Sequence, residues 1–156
     1  MSKRKDWVEN IDGRCSCLAA RQASRYLTAV YDQALAPADL RITQFSILYK
    51  LAKSDALTIG ELATAMAMDR TTLASNLKPL EREGLIDMVP GEDRRVKKAM
   101  ITEAGVARFR KALPLWRVVQ ERFEKSFGVK NAEELRNSLR TVLGSGFDPW
   151  AENGVN

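Results

Sequence analysis

The 156-residue sequence predicts a mainly α-helical chain carrying one small β-hairpin. Three observations predict it. Apolar residues recur at three-to-four spacing through most of the chain. Two capped helices follow one another closely, and the second closes on Gly84. Directly after Gly84, two short β-rich runs flank the turn chemistry of Pro90, Gly91, Glu92 and Asp93.

The first helix spans about 15–35, with Leu18, Ala23, Leu27, Val30 and Ala34 at helical spacing. Pro37 ends it. Thr43 is placed to cap a second helix that buries Phe45, Leu48 and Leu51. Thr58 and Glu61 read as a capping box, and Ile59, Leu62, Ala63 and Met66 form the apolar face behind it. Asp69 caps the next helix, which runs to Gly84 as its closing glycine. Strands are expected at 85–89 and 96–101. Thr102 opens a long helix through Phe109, Leu113, Trp116, Val119, Phe123 and Phe127, with Pro114 expected to kink it and Gly128 to end it. Asn131 and Glu134 read as the capping box of a last helix holding Leu135, Leu139 and Val142 before Gly144. Residues 147–156 follow no regular pattern. A lone hairpin is marginal by itself, so it must lean on the helices before it. Helix, helix, hairpin in that order is the layout of a winged helix-turn-helix.

Composition narrows the chemistry. With 45% hydrophobic residues the chain has material for a real core. No run approaches the roughly 18 apolar residues of a membrane span. Lys3, Arg4 and Lys5 cluster near the start without an apolar stretch behind them, so no secretory signal is expected and the protein reads as cytoplasmic. The sequence has no histidine, which removes the commonest general base and metal ligand. It shows no phosphate loop, nucleophile elbow or metal-spaced cluster. A non-enzyme without metal or cofactor is expected.

The net charge is +5 and the pI about 9.4, which permits nucleic-acid binding. The distribution matters more. Residues 58–101 hold seven basic and seven acidic side chains, yet Arg94, Arg95, Lys97 and Lys98 fall within one five-residue stretch. Any DNA footprint here comes from local placement.

On a helical wheel, Leu73, Leu77 and Leu80 share one face of the 69–84 helix. Thr71, Ser75, Lys78 and Arg82 fall on the opposite stripe, and Thr72 and Asn76 flank the two. Hydroxyls, an amide and cations are what base edges and phosphates require in a major groove. Arg70, in the first turn, opposes the helix dipole but suits a phosphate lying there. The bland alternative is a merely solvated polar face. The capped helix before it and the basic hairpin after it favour the DNA reading. Pro79 removes one backbone donor and is expected to bend the second half, which weakens the case for Lys78 and Arg82.

Several segments together resemble the MarR family of bacterial regulators. Leu40 to Leu48 is similar to the helix that opens that family's DNA-binding lobe. Thr58 to Ala63 resembles its first helix-turn-helix helix, and Asp69 to Ile86 its recognition helix and exit. Asp93-Arg94-Arg95 resembles its wing, and Ile101 to Gly105 the start of its dimer helix. The resemblance implies a homodimer that reads a palindromic operator on double-stranded DNA. It divides the chain into an N-terminal dimerisation helix (1–38), a winged helix-turn-helix lobe (39–102), C-terminal dimerisation helices (103–146) and an irregular tail (147–156). It places Arg95 in the minor groove, with Asp93 bracing the wing and Arg94 sharing the contact. The aromatic stripe Trp116, Val119, Phe123 and Phe127 needs a cover, from a partner or from its own chain. Arg41 stands where many members carry a small polar cap.

Two switches are open. Cys15 and Cys17, at the start of the first helix, are too few and too close for a disulfide framework. They resemble the N-terminal thiols through which some members sense oxidants. A helix N-terminus with Arg14 and Arg21 nearby would favour a thiolate, and Tyr26 and Tyr31 lie further along the same helix. The alternative is that both are small packing residues at the dimer seam. The family also commonly binds aromatic or phenolic anions between its lobes, for which Arg25, Tyr26 and Trp116 are the candidate lining. Aromatics at helical spacing are more often core than pocket. A different class of function, a winged-helix protein–protein assembly module, is separated from DNA binding by salt dependence.

Overall fold

The computed structural model describes residues 9–146; the N-terminal basic cluster and the tail at 147–156 lie outside them. The helices are α1 (Ile11–Arg14), α2 (Ser16–Leu35), α3 (Ile42–Ala52), α4 (Ile59–Met66), α5 (Arg70–Arg82), α6 (Glu103–Phe127) and α7 (Val129–Leu143). The strands are β1 (Leu57–Thr58), β2 (Ile86–Pro90) and β3 (Lys97–Ile101). Pro37 sits in a 3₁₀ turn, Ala36–Ala38, that closes α2.

The expected hairpin is the larger part of a three-stranded antiparallel sheet in the order β1-β3-β2. Ile86 pairs with Ile101 and Pro90 with Lys97, while Leu57 and Thr58 pair with Ala99 and Lys98. The short β1 lies directly before α4, so Thr58 ends a strand and caps a helix at once. The hairpin is thereby anchored along β3, with β2 at the sheet edge.

The core gathers Leu35 and Leu40 from the end of α2 and its turn, Ile47, Leu48 and Leu51 from α3, and Leu62 from α4. Leu73, Leu77 and Leu80 from α5, with Leu85, Ile86 and Ala99 from the sheet region, complete it. The α5 leucines are those the wheel assigned inward. Phe45 stacks on Phe109 with ring centroids 4.7 Å apart, and Trp116 lies 6.1 Å from Phe45. These rings fasten α6 to the lobe, so Trp116 finds cover in its own chain. Val119 is buried too, whereas Phe127, stacked on Phe123, stays exposed.

A polar chain crosses the terminal helices. The Tyr31 hydroxyl donates to Gln120 Oε1 (2.5 Å), and Gln120 Nε2 donates to Glu124 Oε1 (2.8 Å). Arg136 on α7 meets the same Glu124 oxygen at 3.0 Å. Burial, and then the Glu124 charge, raise Tyr31 above the ordinary phenol value, so it remains a neutral donor.

Two helix starts differ from expectation. Helix α3 begins before Thr43, with Arg41 as its N-cap residue. Its first N–H groups are satisfied by side chains: Ile42 N–H donates to Asp32 Oδ1 of α2 (2.8 Å), and Arg41 N–H to Gln44 Oε1 within α3 (3.0 Å). Helix α7 begins directly after Gly128, not at Asn131. Asn131 instead donates its amide back to the Phe127 carbonyl, and Glu134 pairs with Lys130. Helix α6 continues through Pro114 as one helix to Phe127.

Candidate nucleic-acid interface

The helix-turn-helix is set by its caps. Thr58 Oγ1 accepts from Glu61 N–H (3.1 Å), while Glu61 Oε2 accepts from Thr58 N–H (2.8 Å). The Thr58 N–H, then its hydroxyl, hold Glu61 below the usual carboxylate range. Helix α4 closes on Ala67 in the left-handed region (φ 51°), which turns the chain sharply into α5. Asp69 then caps α5, its Oδ1 accepting from Thr72 N–H at 2.8 Å.

With three leucines buried, Thr71, Ser75, Lys78 and Arg82 all lie exposed along the opposite side of α5. That stripe carries no carboxylate. The helix runs unbroken through Pro79 to Arg82. Pro79 still leaves the Ser75 carbonyl without its usual donor four residues on.

The two flanking residues are already engaged. Thr72 Oγ1 donates to Asp69 Oδ2 (2.6 Å), and Asn76 Nδ2 donates to the Thr72 carbonyl (2.8 Å). The Thr72 hydroxyl, then its N–H, hold Asp69 below the usual range. Thr72 is left as an acceptor, and Asn76 keeps its carbonyl oxygen. Thr71 and Ser75 are thus the less encumbered readers.

Arg70 turns back over the preceding helix. Its guanidinium lies beside Gly60, where an added Cβ would come within 3.1 Å of Nη2. The sequence reading placed Arg70 at the helix end but missed Gly60; a glycine inside a capped helix was the available signal.

The wing is the β2–β3 connection. Gly91 N–H donates to the Val96 carbonyl (2.6 Å), and Val96 N–H to the Asp93 carbonyl (2.9 Å). Asp93 Oδ1 accepts from the Arg95 backbone N–H (3.0 Å) and from Arg95 Nε (3.3 Å). The carboxylate braces the loop while the Arg95 side chain remains 90% exposed. Arg94 and Lys97 are also exposed beside it.

The remaining candidates are dispersed. Arg25 and Tyr26 are exposed on α2, and Trp116 is packed beside Phe45. An open groove of about 410 Å³ is lined by Ile101, Thr102, Glu103, Val106, Ala107 and Arg110, and includes none of those three. Cys15 is the N-cap of α2, with Sγ accepting from Leu18 N–H at 3.3 Å; Cys17 is exposed.

Comparisons with known proteins agree with this geometry. The model of the MarR family matches residues 40–97. The transcriptional regulator MosR of M. tuberculosis, solved in complex with DNA, is 37% identical with a TM-score of 0.77, covering 84% of this chain and 95% of that one. The repressor CouR bound to a 23-mer DNA duplex is 25% identical with a TM-score of 0.76, covering 85% and 95%. The HTH-type transcriptional regulator SarZ of Staphylococcus haemolyticus is 26% identical over 135 residues, 85% of this chain and 89% of that protein. These relatives are transcription regulators, not enzymes. On its winged fold, its matched segment and these relatives, the chain belongs to the MarR family of DNA-binding transcription regulators.

Proposed function

We propose that the protein is a homodimeric repressor that reads a palindromic operator, with α5 in the major groove and the wing in the adjacent minor groove. The observation that carries this reading is the uncharged-to-cationic outward stripe of α5 beside a braced, projecting Arg95. Thr71 and Ser75 read base edges, and Thr72 and Asn76 add their free acceptors. Arg70 and Lys78 hold phosphates, as do Arg94 and Lys97 on the wing. Arg95 enters the minor groove, where negative potential concentrates, and Asp93 keeps its loop in shape.

Dimerisation through 1–38 and 103–146 around the 39–102 lobe is supported by apolar side chains that are exposed among the described residues. Ile11, Tyr26, Val118, Leu139, Val142 and Leu143 are all exposed, Leu143 at 71%. Isolated exposed apolar groups are ordinary, but this number on neighbouring terminal helices favours a partner surface. A two-fold axis then sets the recognition helices about one DNA turn, roughly 34 Å, apart. Among the described residues no helix is long and apolar enough to cross a membrane. The reading is of a cytoplasmic protein acting on chromosomal DNA.

Release by thiol oxidation is supported by Cys15 at a helix start and by Cys17 exposed two residues on, neither buried by its own chain. Release by a small aromatic or phenolic ligand held between the terminal helices and the DNA-binding lobe is the other switch, with Arg25, Tyr26 and Trp116 as its candidate lining. The test is titration against duplex DNA from upstream of the protein's own coding region. Affinity is expected to fall linearly on a log–log plot between about 50 and 200 mM salt. Peroxide is expected to release the DNA from wild type but not from Cys15→Ser or Cys17→Ser. Release by aromatic acids instead selects the ligand. Binding indifferent to salt and to sequence contradicts the DNA reading and fits protein assembly.

A further inference from the structure

The exit of α5 is fastened to the start of α6 at three consecutive residues. Thr102 Oγ1 donates to the Gly84 carbonyl (2.7 Å) and accepts from Gly105 N–H (3.0 Å). One hydroxyl thus caps α6 and grips the turn that ends the recognition helix. Thr102 N–H donates to the Leu85 carbonyl at 3.1 Å. Gly105 is buried against that same carbonyl, and a Cβ there would overlap the Leu85 oxygen. Glycine is a poor helix former, so its place in the first turn of α6 has a packing reason. One turn further, Arg108 Nη1 lies 3.6 Å from Glu83 Oε2 and donates to the Asp39 carbonyl at 3.2 Å. Thr102, Gly105 and Arg108 are spaced by three and line one face of α6.

The α5 exit is also closed on itself, since Leu85 N–H donates to the Leu80 carbonyl at 2.9 Å. No free segment therefore separates the recognition helix from the long helix. Through Asp39, Arg108 ties the end of α2 into the same joint.

We propose that Thr102, Gly105 and Arg108 are positioning residues that make α5 and α6 move as one body, and so set which half-site spacing the protein accepts. The proposal rests on the dimeric, operator-reading function above. In such a dimer α6 carries each lobe, so a stiff joint converts the two-fold geometry into a fixed distance between recognition helices. One inserted base pair moves the second half-site by about 3.4 Å along the axis, which a stiff joint does not follow. A loosened joint follows it at the expense of affinity for the parent site.

The test uses the full chain and a palindromic duplex selected by wild type from a random pool, with versions carrying one or two extra base pairs between half-sites. Wild type is expected to lose about tenfold or more on insertion. Arg108→Gln, Glu83→Gln and Thr102→Val are expected to bind the parent duplex more weakly and the inserted duplexes almost as well as the parent. Their binding to random duplex DNA, and its salt dependence, stay as in wild type, because the phosphate contacts of each lobe remain. Thr102→Ser, which keeps the hydroxyl, restores spacing discrimination. Folded, dimeric variants that discriminate spacing as sharply as wild type overturn the proposal. Should Thr102→Val fail to fold, the partly exposed Arg108–Glu83 pair still decides the matter. A wild type that binds a single half-site as tightly as the palindrome overturns the dimeric reading itself, and this proposal with it.

Discussion

Asp69 shows how one side chain serves both fold and site. Its carboxylate accepts the Thr72 hydroxyl and N–H, and both contacts lower its pKa. A folded-state pKa below the unfolded one contributes stability above the ordinary aspartate value, about 3.9, that is lost as pH falls through the lowered value. Glu61 behaves in the same sense. The melting temperature is therefore expected to hold from pH 8 down to about pH 5 and to drop below about pH 4, with a smaller acid-side drop in Asp69→Asn. Thermal melts across that range check it. The pair also decides who reads DNA. Ser75→Ala is expected to relax preference at one base pair by about 1–3 kcal/mol, whereas Arg95→Ala weakens binding to all sequences and lowers the salt slope by about 1. Asp69, Thr58 and Glu61 were legible because their partners lie three residues away. Arg41 was not, because the carboxylate that serves this helix start is Asp32, ten residues earlier. The engagement of Thr72 and Asn76 was equally hidden, since a wheel gives direction and not hydrogen bonds.

At the scale of elements, periodicity carried most of the fold. The inward face of α5 held because Leu73, Leu77 and Leu80 leave one way to bury the helix. Leu73→Ala is expected to cost about 2–5 kcal/mol in denaturant unfolding, as for any fully buried leucine with little room to collapse. Strand β1 escaped notice because two residues carry no period, and Thr58 shows its capping role more plainly than its pairing. The start of α7 was misplaced because Asn131 and Glu134 mimic a capping box while Gly128 actually turns the chain. Ala67 holds a left-handed conformation in the turn between α4 and α5, where a Cβ costs about 1 kcal/mol or more. Ala67→Gly is expected to raise stability by up to about 1 kcal/mol, measured by urea titration, with operator affinity kept.

For the molecule as a whole, one chain presents a packed reading lobe and terminal helices whose outer apolar side chains are exposed among the described residues. The aromatic stripe of α6 was expected to need a cover from a partner or from its own chain; Val119 is buried and Trp116 partly buried within this one. The uncovered surface lies further out, at Leu139, Val142 and Leu143. A Leu139→Asp, Val142→Asp double variant is expected to sediment as a folded monomer and to bind the palindrome at least about tenfold more weakly. The division of labour between α5 and the wing is the central claim, and binding-site selection from a random duplex pool tests it most directly. Wild type, Ser75→Ala and Arg95→Ala are selected in parallel at one salt concentration. Ser75→Ala is predicted to recover a motif altered inside each half-site, while Arg95→Ala recovers the wild-type motif there with lower overall affinity. A wild-type motif from Ser75→Ala, together with undiminished affinity in Arg95→Ala, would contradict it.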